Sequence, residues 1–317
     1  VGVTVLATYL RPLAIANLVA NIGIVLTGAA VRLTASGLGC PTWPRCTDSS
    51  YVPHGELGLH GAIEFGNRLL TFVLVVIAIA CWAAAVAHRR TEPVAGRLPL
   101  RLATAVALGI PAQAVLGGLT VLTDLNPWLV AFHLLLSMLL IALCTWLVWT
   151  LTPHPVVPAG ETGAAAAARD RLGPTAWLVV GSGWLVLYLG TVVTGSGPHA
   201  GDEDSPRTGL DPQVFSHVHA SAVYLFVALT VGLLVLAHRA GRPDLRRAVG
   251  VLLAIEIGQG AVGFVQYAQG LPVLLVAAHL LGAALTSAAL AWVILTARAH
   301  DPAEAGTSTG RATRAGT

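Results

Sequence analysis

Five histidines stand just inside long apolar runs rather than in polar loops: His60, His133, His217, His219 and His279. A neutral imidazole is a good transition-metal ligand. Two of them on facing helices suit a flat iron macrocycle, a haem, held on both faces. One such His is often only an interhelical hydrogen bond. Several at one depth, on alternate apolar runs, mark a functional site, because ionisable residues inside a membrane are rare. His217 and His219 are about 200° apart around a helix, so only one of them can face a given partner. Small neighbours such as Gly61, Ala131, Ala220, Ala277 and Gly282 leave room for a macrocycle, although helix packing favours small residues too. The chain has no Cys-x-x-Cys-His, which argues against covalent haem attachment. His54, His88, His154, His199, His238 and His300 fall in loops or at helix ends and read as solvent-facing.

A second constellation is Glu64, Asn67 and Arg68, spaced i, i+3, i+4 on one helical face. Two readings stand. One is an ion pair near a helix N-terminus, which the helix dipole favours for Glu. The other is a carboxylate that moves protons beside a substrate, with Arg68 pairing a substrate carboxylate. Cys40 and Cys46 bracket Pro-Thr-Trp-Pro-Arg. They read as a structural staple on an oxidising face or as a reducible pair. Cys81 and Cys144 lie in apolar runs and read as packing residues. Glu256 is a second carboxylate in an apolar run, with no like-charged repeat partner.

The elements that must position these residues follow from composition. Of 317 residues, 55% are hydrophobic and 10% charged, and mean hydropathy is +0.75. Ordinary soluble domains carry roughly 25% charge, so this chain cannot coat a soluble globule. Disordered, collagenous and disulfide-scaffold classes are excluded as well. Eight stretches reach the roughly 20 apolar residues that a bilayer crossing needs: about 13–33, 61–87, 101–122, 128–150, 174–194, 214–237, 247–267 and 271–297. They must be helices, since a lipid-exposed backbone has to satisfy its own hydrogen bonds. The fold class is all-α and polytopic. All basic residues are Arg, and fourteen of the 18 fall at the ends and loops shared with both termini. The positive-inside rule then places both termini in the cytoplasm. The first run reads as a retained helix rather than a cleaved leader. The outer loops are about 34–60 and 195–213, 151–173 reads as a cytoplasmic linker, and 298–317 as a disordered tail.

The chain also repeats itself. Gln113-Ala-Val-Leu-Gly117 leads to Leu129-Val-Ala-Phe-His133, and Gln259-Gly-Ala-Val-Gly263 leads to Leu275-Val-Ala-Ala-His279, at an offset of 146. Four spans per half give both halves one orientation. The expectation is two pseudo-symmetric four-helix bundles, 1–150 and 174–297, related by an axis along the membrane normal. Even-numbered spans start on the outer side, so the histidines share the outer third of the bilayer.

Val31-Arg-Leu-Thr-Ala-Ser-Gly-Leu-Gly-Cys40-Pro-Thr-Trp-Pro-Arg-Cys46, Ile63-Glu64-Phe-Gly-Asn-Arg68 and Ala131-Phe-His133 resemble the haem A synthase family, across all eight spans. The resemblance implies oxidation of the C8 methyl of haem O to a formyl, giving haem A for cytochrome c oxidase. It implies a resident haem b whose iron is ligated by His219 and His279. The first half would receive the substrate haem, with Glu64 as its catalytic carboxylate and Cys40 and Cys46 as its cysteine pair. It also implies the plasma membrane, and association with the enzyme that makes haem O; nothing suggests nucleic acid. Two departures stand out. Better-known members carry His where this chain has Asn67, a poor iron ligand, so the substrate iron is expected on His133 alone. His60 could serve only if the site is shifted outward. The loop 195–213 lacks the second Cys pair of some members and instead carries His199, Asp202, Glu203 and Asp204. A rival reading is a haem-b electron carrier, such as a quinol-linked cytochrome subunit, in which Glu64 is only an ion-pair partner. A transporter on a four-plus-four repeat fits less well, because the histidines lie too far outward for a midplane site.

Overall fold

The computed structural model describes residues 2–53, 58–153 and 164–299. His54, His154 and His300, most of the 151–173 linker and nearly all of the 298–317 tail lie outside them. The described residues form ten helices and no strand: α1 Gly2–Thr8, α2 Leu10–Leu33, α3 Gly58–Thr91, α4 Arg97–Leu122, α5 Pro127–Thr150, α6 Ala164–Asp170, α7 Leu172–Ser196, α8 Pro212–Arg239, α9 Pro243–Ala268 and α10 Val273–Arg298. Eight are long and apolar enough to cross a bilayer, as the sequence predicts.

The helix starts are chemically specified. Pro127 and Pro212 occupy first helical positions, where a missing N–H costs nothing. The Asn126 and Asp211 side chains before them accept from Trp128 and Leu129, and from Gln213 and Val214. Gly241 (φ +65°) and Gly270 (φ +73°) turn the chain after α8 and α9 in a left-handed conformation that a side chain would oppose. Phe72, Val76 and Ile79 stand exposed in an i, i+4, i+7 row on α3. That row would be an aggregation hazard in water and is an ordinary outer face in hydrocarbon.

Two short helices were not foreseen. α1 packs on α3. α6 falls in the stretch read as linker, yet it packs on α7 and α8, buries Ala168, and Arg169 Nε donates to the Ala240 carbonyl at 3.3 Å. Good helix formers (Ala164 to Ala168) next to an apolar surface outweigh the Pro-rich segment before them.

Neighbours along the chain pack in two rings. Helices α2, α3, α4 and α5 touch in cyclic order, as do α7, α8, α9 and α10. Across the diagonals α3/α5 and α8/α10 no Cα pair of the described residues comes within 8 Å. Apolar cores fill one end of each ring: Leu10, Ala84, Leu102 and Leu147 in one, Leu172, Leu245, Leu252 and Val293 in the other. These cores sit at the end from which α2 and α7 start, away from the loop residues 34–53 and 197–211. Each ring is therefore filled by apolar side chains at one end, and the histidines stand towards the other.

Candidate functional site

The diagonal helices carry the polar residues, and each of these leans on the helix before its own. On α5, His133 rests its Cε1 edge 3.3 Å from where a Cβ on Gly117 of α4 would stand. On α8, His219 does the same at 3.3 Å from Gly190 of α7, and on α10 His279 at 3.5 Å from Gly263 of α9. On α3 the corresponding contact is a hydrogen bond, with Thr27 Oγ1 of α2 donating to Asn67 Oδ1 at 2.8 Å. The glycines let the edge of a ring approach a neighbouring backbone closely, so the imidazoles are aimed by packing.

The repeat seen in the sequence is a repeated contact. Gln113 Nε2 donates to the His133 carbonyl at 3.1 Å, and Gln259 Nε2 to the His279 carbonyl at 2.8 Å. Nδ1 of His133, His219 and His279 is buried without a partner; the Val186 carbonyl approaches the His219 ring but does not reach hydrogen-bond geometry with that nitrogen. His217 is exposed and faces away. His60 is exposed too, with Nδ1 3.0 Å from Ser36 Oγ.

Glu64 lies one turn towards the loop end from Asn67 and is only 5% exposed. Its Oε2 accepts from the Cys40 N–H at 2.5 Å, and its Oε1 takes Arg68 Nε at 3.1 Å and Nη2 at 2.5 Å. Arg68 thus makes the ion pair that was one of its two readings, the other being a pair with a substrate carboxylate. Its other contacts go instead to the carbonyls of Arg45 at 3.2 Å, Cys40 at 3.0 Å and Thr42 at 3.0 Å. A guanidinium fans its five donors in one plane, so a single Arg can hold both a carboxylate and a loop. That loop is closed by a Cys40–Cys46 disulfide with Cα atoms 4.4 Å apart. Trp43 within it lies on Gly118 of α4, where any side chain would collide with the indole. Alkylation in denaturant without reductant is expected to label Cys81 and Cys144 only, and reduction to release the other two thiols. Mass spectrometry reads the count; labelling of all four without reductant would contradict the pairing.

Cys81 and Cys144 are buried on the diagonal helices α3 and α5. With their Cα atoms more than 8 Å apart they cannot form a disulfide in this backbone. Cys144 also meets a polar pair: Asn21 Nδ2 donates to Asn17 Oδ1 at 3.0 Å and lies 3.7 Å from Cys144 Sγ. Glu256 also finds a partner, accepting from Thr230 Oγ1 across α8 and α9 at 2.7 Å. His199, read as solvent-facing, is half-buried, with Nε2 2.9 Å from the Leu271 carbonyl. Its own carbonyl accepts from Arg32 Nε at 2.8 Å, and Arg32 Nη2 reaches the Thr194 carbonyl at 3.2 Å. The sequence offered no pointer to Asn17, Asn21 or Arg32 beyond their being polar residues in an apolar run.

The residues on the α8/α10 diagonal fit a haem. Two imidazoles stand on helices whose backbones do not touch, each seated on a glycine, with Nδ1 unpartnered. Fold and site together define a polytopic helical membrane protein with inward-facing histidines near one membrane surface. Compared with known families, residues 11–62 and 59–201, more than half of the chain, match the model of the cytochrome oxidase assembly protein family. The chain belongs to that family. Among similar proteins, the heme A synthase of Geobacillus kaustophilus is 30% identical over 152 residues, 47% of this chain and 45% of that one. The heme A synthase of Geobacillus thermodenitrificans is 34% identical over 111 residues, 35% of this chain and 32% of the relative. That of a Bradyrhizobium species is 29% identical over 205 residues, 54% of this chain and 53% of the relative. These matches span about a third to a half of the relatives' own length. The resemblance read from the loop and the Glu64 element is borne out.

Proposed function

We propose that this protein is a haem A synthase, an oxidoreductase acting on a CH group that converts the C8 methyl of haem O to a formyl. The observation that carries the reading is the pair His219 and His279, presented on glycine seats across the open α8/α10 diagonal, beside a first half with one such histidine and a buried carboxylate. His219 and His279 of the half 174–297 would hold haem b, which when bound supplies one-electron transfer. The half 1–150 would receive haem O, the substrate, with His133 as the side chain to hold its iron.

Oxidising a methyl to a formyl takes up one oxygen atom; with water as its source, four electrons pass to an external acceptor and four protons need a base nearby. Glu64 is the group placed to take them, because it is buried one turn outward of Asn67 and held by two fixed partners. Arg68 is a positioning residue that holds Glu64 and the disulfide loop together. The loop, through Trp43 on Gly118, covers the first-half gap and excludes water. His60, tied to Ser36 at the rim, lies at the entry side and does not ligate. The chain sits in the plasma membrane with both termini cytoplasmic, where the enzyme making haem O is a natural partner.

The test is haem extraction from the purified protein after co-expression with a haem O source, with chromatography and mass spectrometry of the pigments. Haem A alongside haem b is the expected result. Haem b alone, with haem O supplied, would overturn the synthase reading in favour of an electron carrier.

A further inference from the structure

The four residues that face the two diagonals are placed alike, but one differs in kind. His133, His219 and His279 each lean on a glycine of the preceding helix, and Asn67 leans on Thr27. Thr27 stands six residues before the end of α2 at Leu33, as Gly190 stands six before the end of α7 at Ser196. Asn67 therefore occupies in the first half the place that His219 occupies in the second. A neutral amide is a poor iron ligand, so it cannot close the face opposite His133 as His219 closes the face opposite His279.

The amide is also oriented. The Thr27 hydroxyl donates to Oδ1 and is itself held 3.2 Å from the Ile24 carbonyl of its own helix. With Oδ1 turned to α2, Nδ2 keeps both protons and has no acceptor among the described residues. We propose that the substrate iron is five-coordinate, and that Asn67 Nδ2 is a hydrogen-bond donor to an exogenous ligand taken up on its open face. This rests on the first half being the haem O site. The ligand class is a small oxygen-bearing molecule, diatomic or water, for which an N–H donor on a preorganised side chain is the complementary group.

Carbon monoxide is the probe. Haem b between two histidines has no open position, so carbon monoxide taken up by the reduced, haem O-loaded protein reports on the first half alone. Wild type is expected to bind it. Asn67→Leu should still bind it, with the C–O stretch moved to higher frequency because the donor is gone. Asn67→His should turn the first-half haem six-coordinate and low-spin, with carbon monoxide uptake lost. A wild-type haem O that is already low-spin and refuses carbon monoxide would overturn the proposal while leaving the synthase reading intact. So would an identical C–O stretch in wild type and Asn67→Leu. Protein that extracts with haem b alone under haem O supply removes the first-half assignment and this inference with it.

Discussion

His279→Ala is expected to abolish haem b from the purified protein, read as loss of the reduced-minus-oxidised absorbance and of extractable haem b. His219→Ala should do the same, and His133→Ala should leave haem b at the wild-type level. The reasoning is geometric. Each imidazole is aimed by a glycine seat rather than by hydrogen bonds of its own, so no neighbouring side chain can swing in to replace it. His217 is two residues away but on the opposite face and exposed. Losing a direct ligand must exceed the roughly 10–100-fold cost of losing a supporting partner. The backbone bond from Gln259 to His279 is made by the carbonyl of residue 279 and survives the substitution, so misfolding of α10 is not the expected cause. Full haem b content in His279→Ala would sink the axial assignment.

Glu64→Gln is expected to reduce haem A formation by about 10²–10⁴-fold, the range for removing a positioned proton-transfer group, with haem b content unchanged. The glutamine is close in shape and can still accept from the Cys40 N–H. What it loses is the proton-carrying function and the charge opposite Arg68. Removing one partner of a well-buried ion pair typically costs 3–5 kcal/mol. Here the Arg68 side chain is 20% exposed, and its remaining donors are held by loop carbonyls, so the stability cost falls below that range. Normal haem b with product lost would separate chemistry from assembly. Retained activity would make Glu64 an ion-pair partner and nothing more.

Much of the fold was legible because the bilayer simplifies the rules. Length and apolarity alone place all eight spans, since nothing but a closed helix survives in hydrocarbon. The Gln–His spacing exposed the repeat, and the structure shows why it persists: the same side-chain amide meets the same backbone carbonyl in both halves. The histidine depths were legible for the same reason, as residues at equal distance from a helix start stand at equal depth. Partner choice was not. The i, i+4 spacing pointed to the Glu64–Arg68 pair, but nothing in it says that Arg68 also turns to the loop carbonyls. His199 looked free because loop residues usually are, and the Leu271 carbonyl that bonds it is 72 residues away. The short helix α6 was hidden by the prolines just before it. Thr27 was not singled out, because a contact 40 residues apart in sequence leaves no periodic trace.

The seam between the rings bears on ancestry. Helix α5 meets α10, and α2 meets α10 just as α7 meets α5. Those contacts pair off as they would in a homodimer, where every contact appears twice. The polar bonds across the seam do not. Ser287 Oγ donates to the Met138 carbonyl at 2.7 Å, but the residue 146 earlier than Ser287 is Ile141, which has no hydroxyl to return the bond. Two copies of the first half would therefore lack this bond on both sides of their seam. In the second half both diagonal places carry histidine, and in the first half one of them carries Asn67, so the two halves of the joined chain are no longer interchangeable.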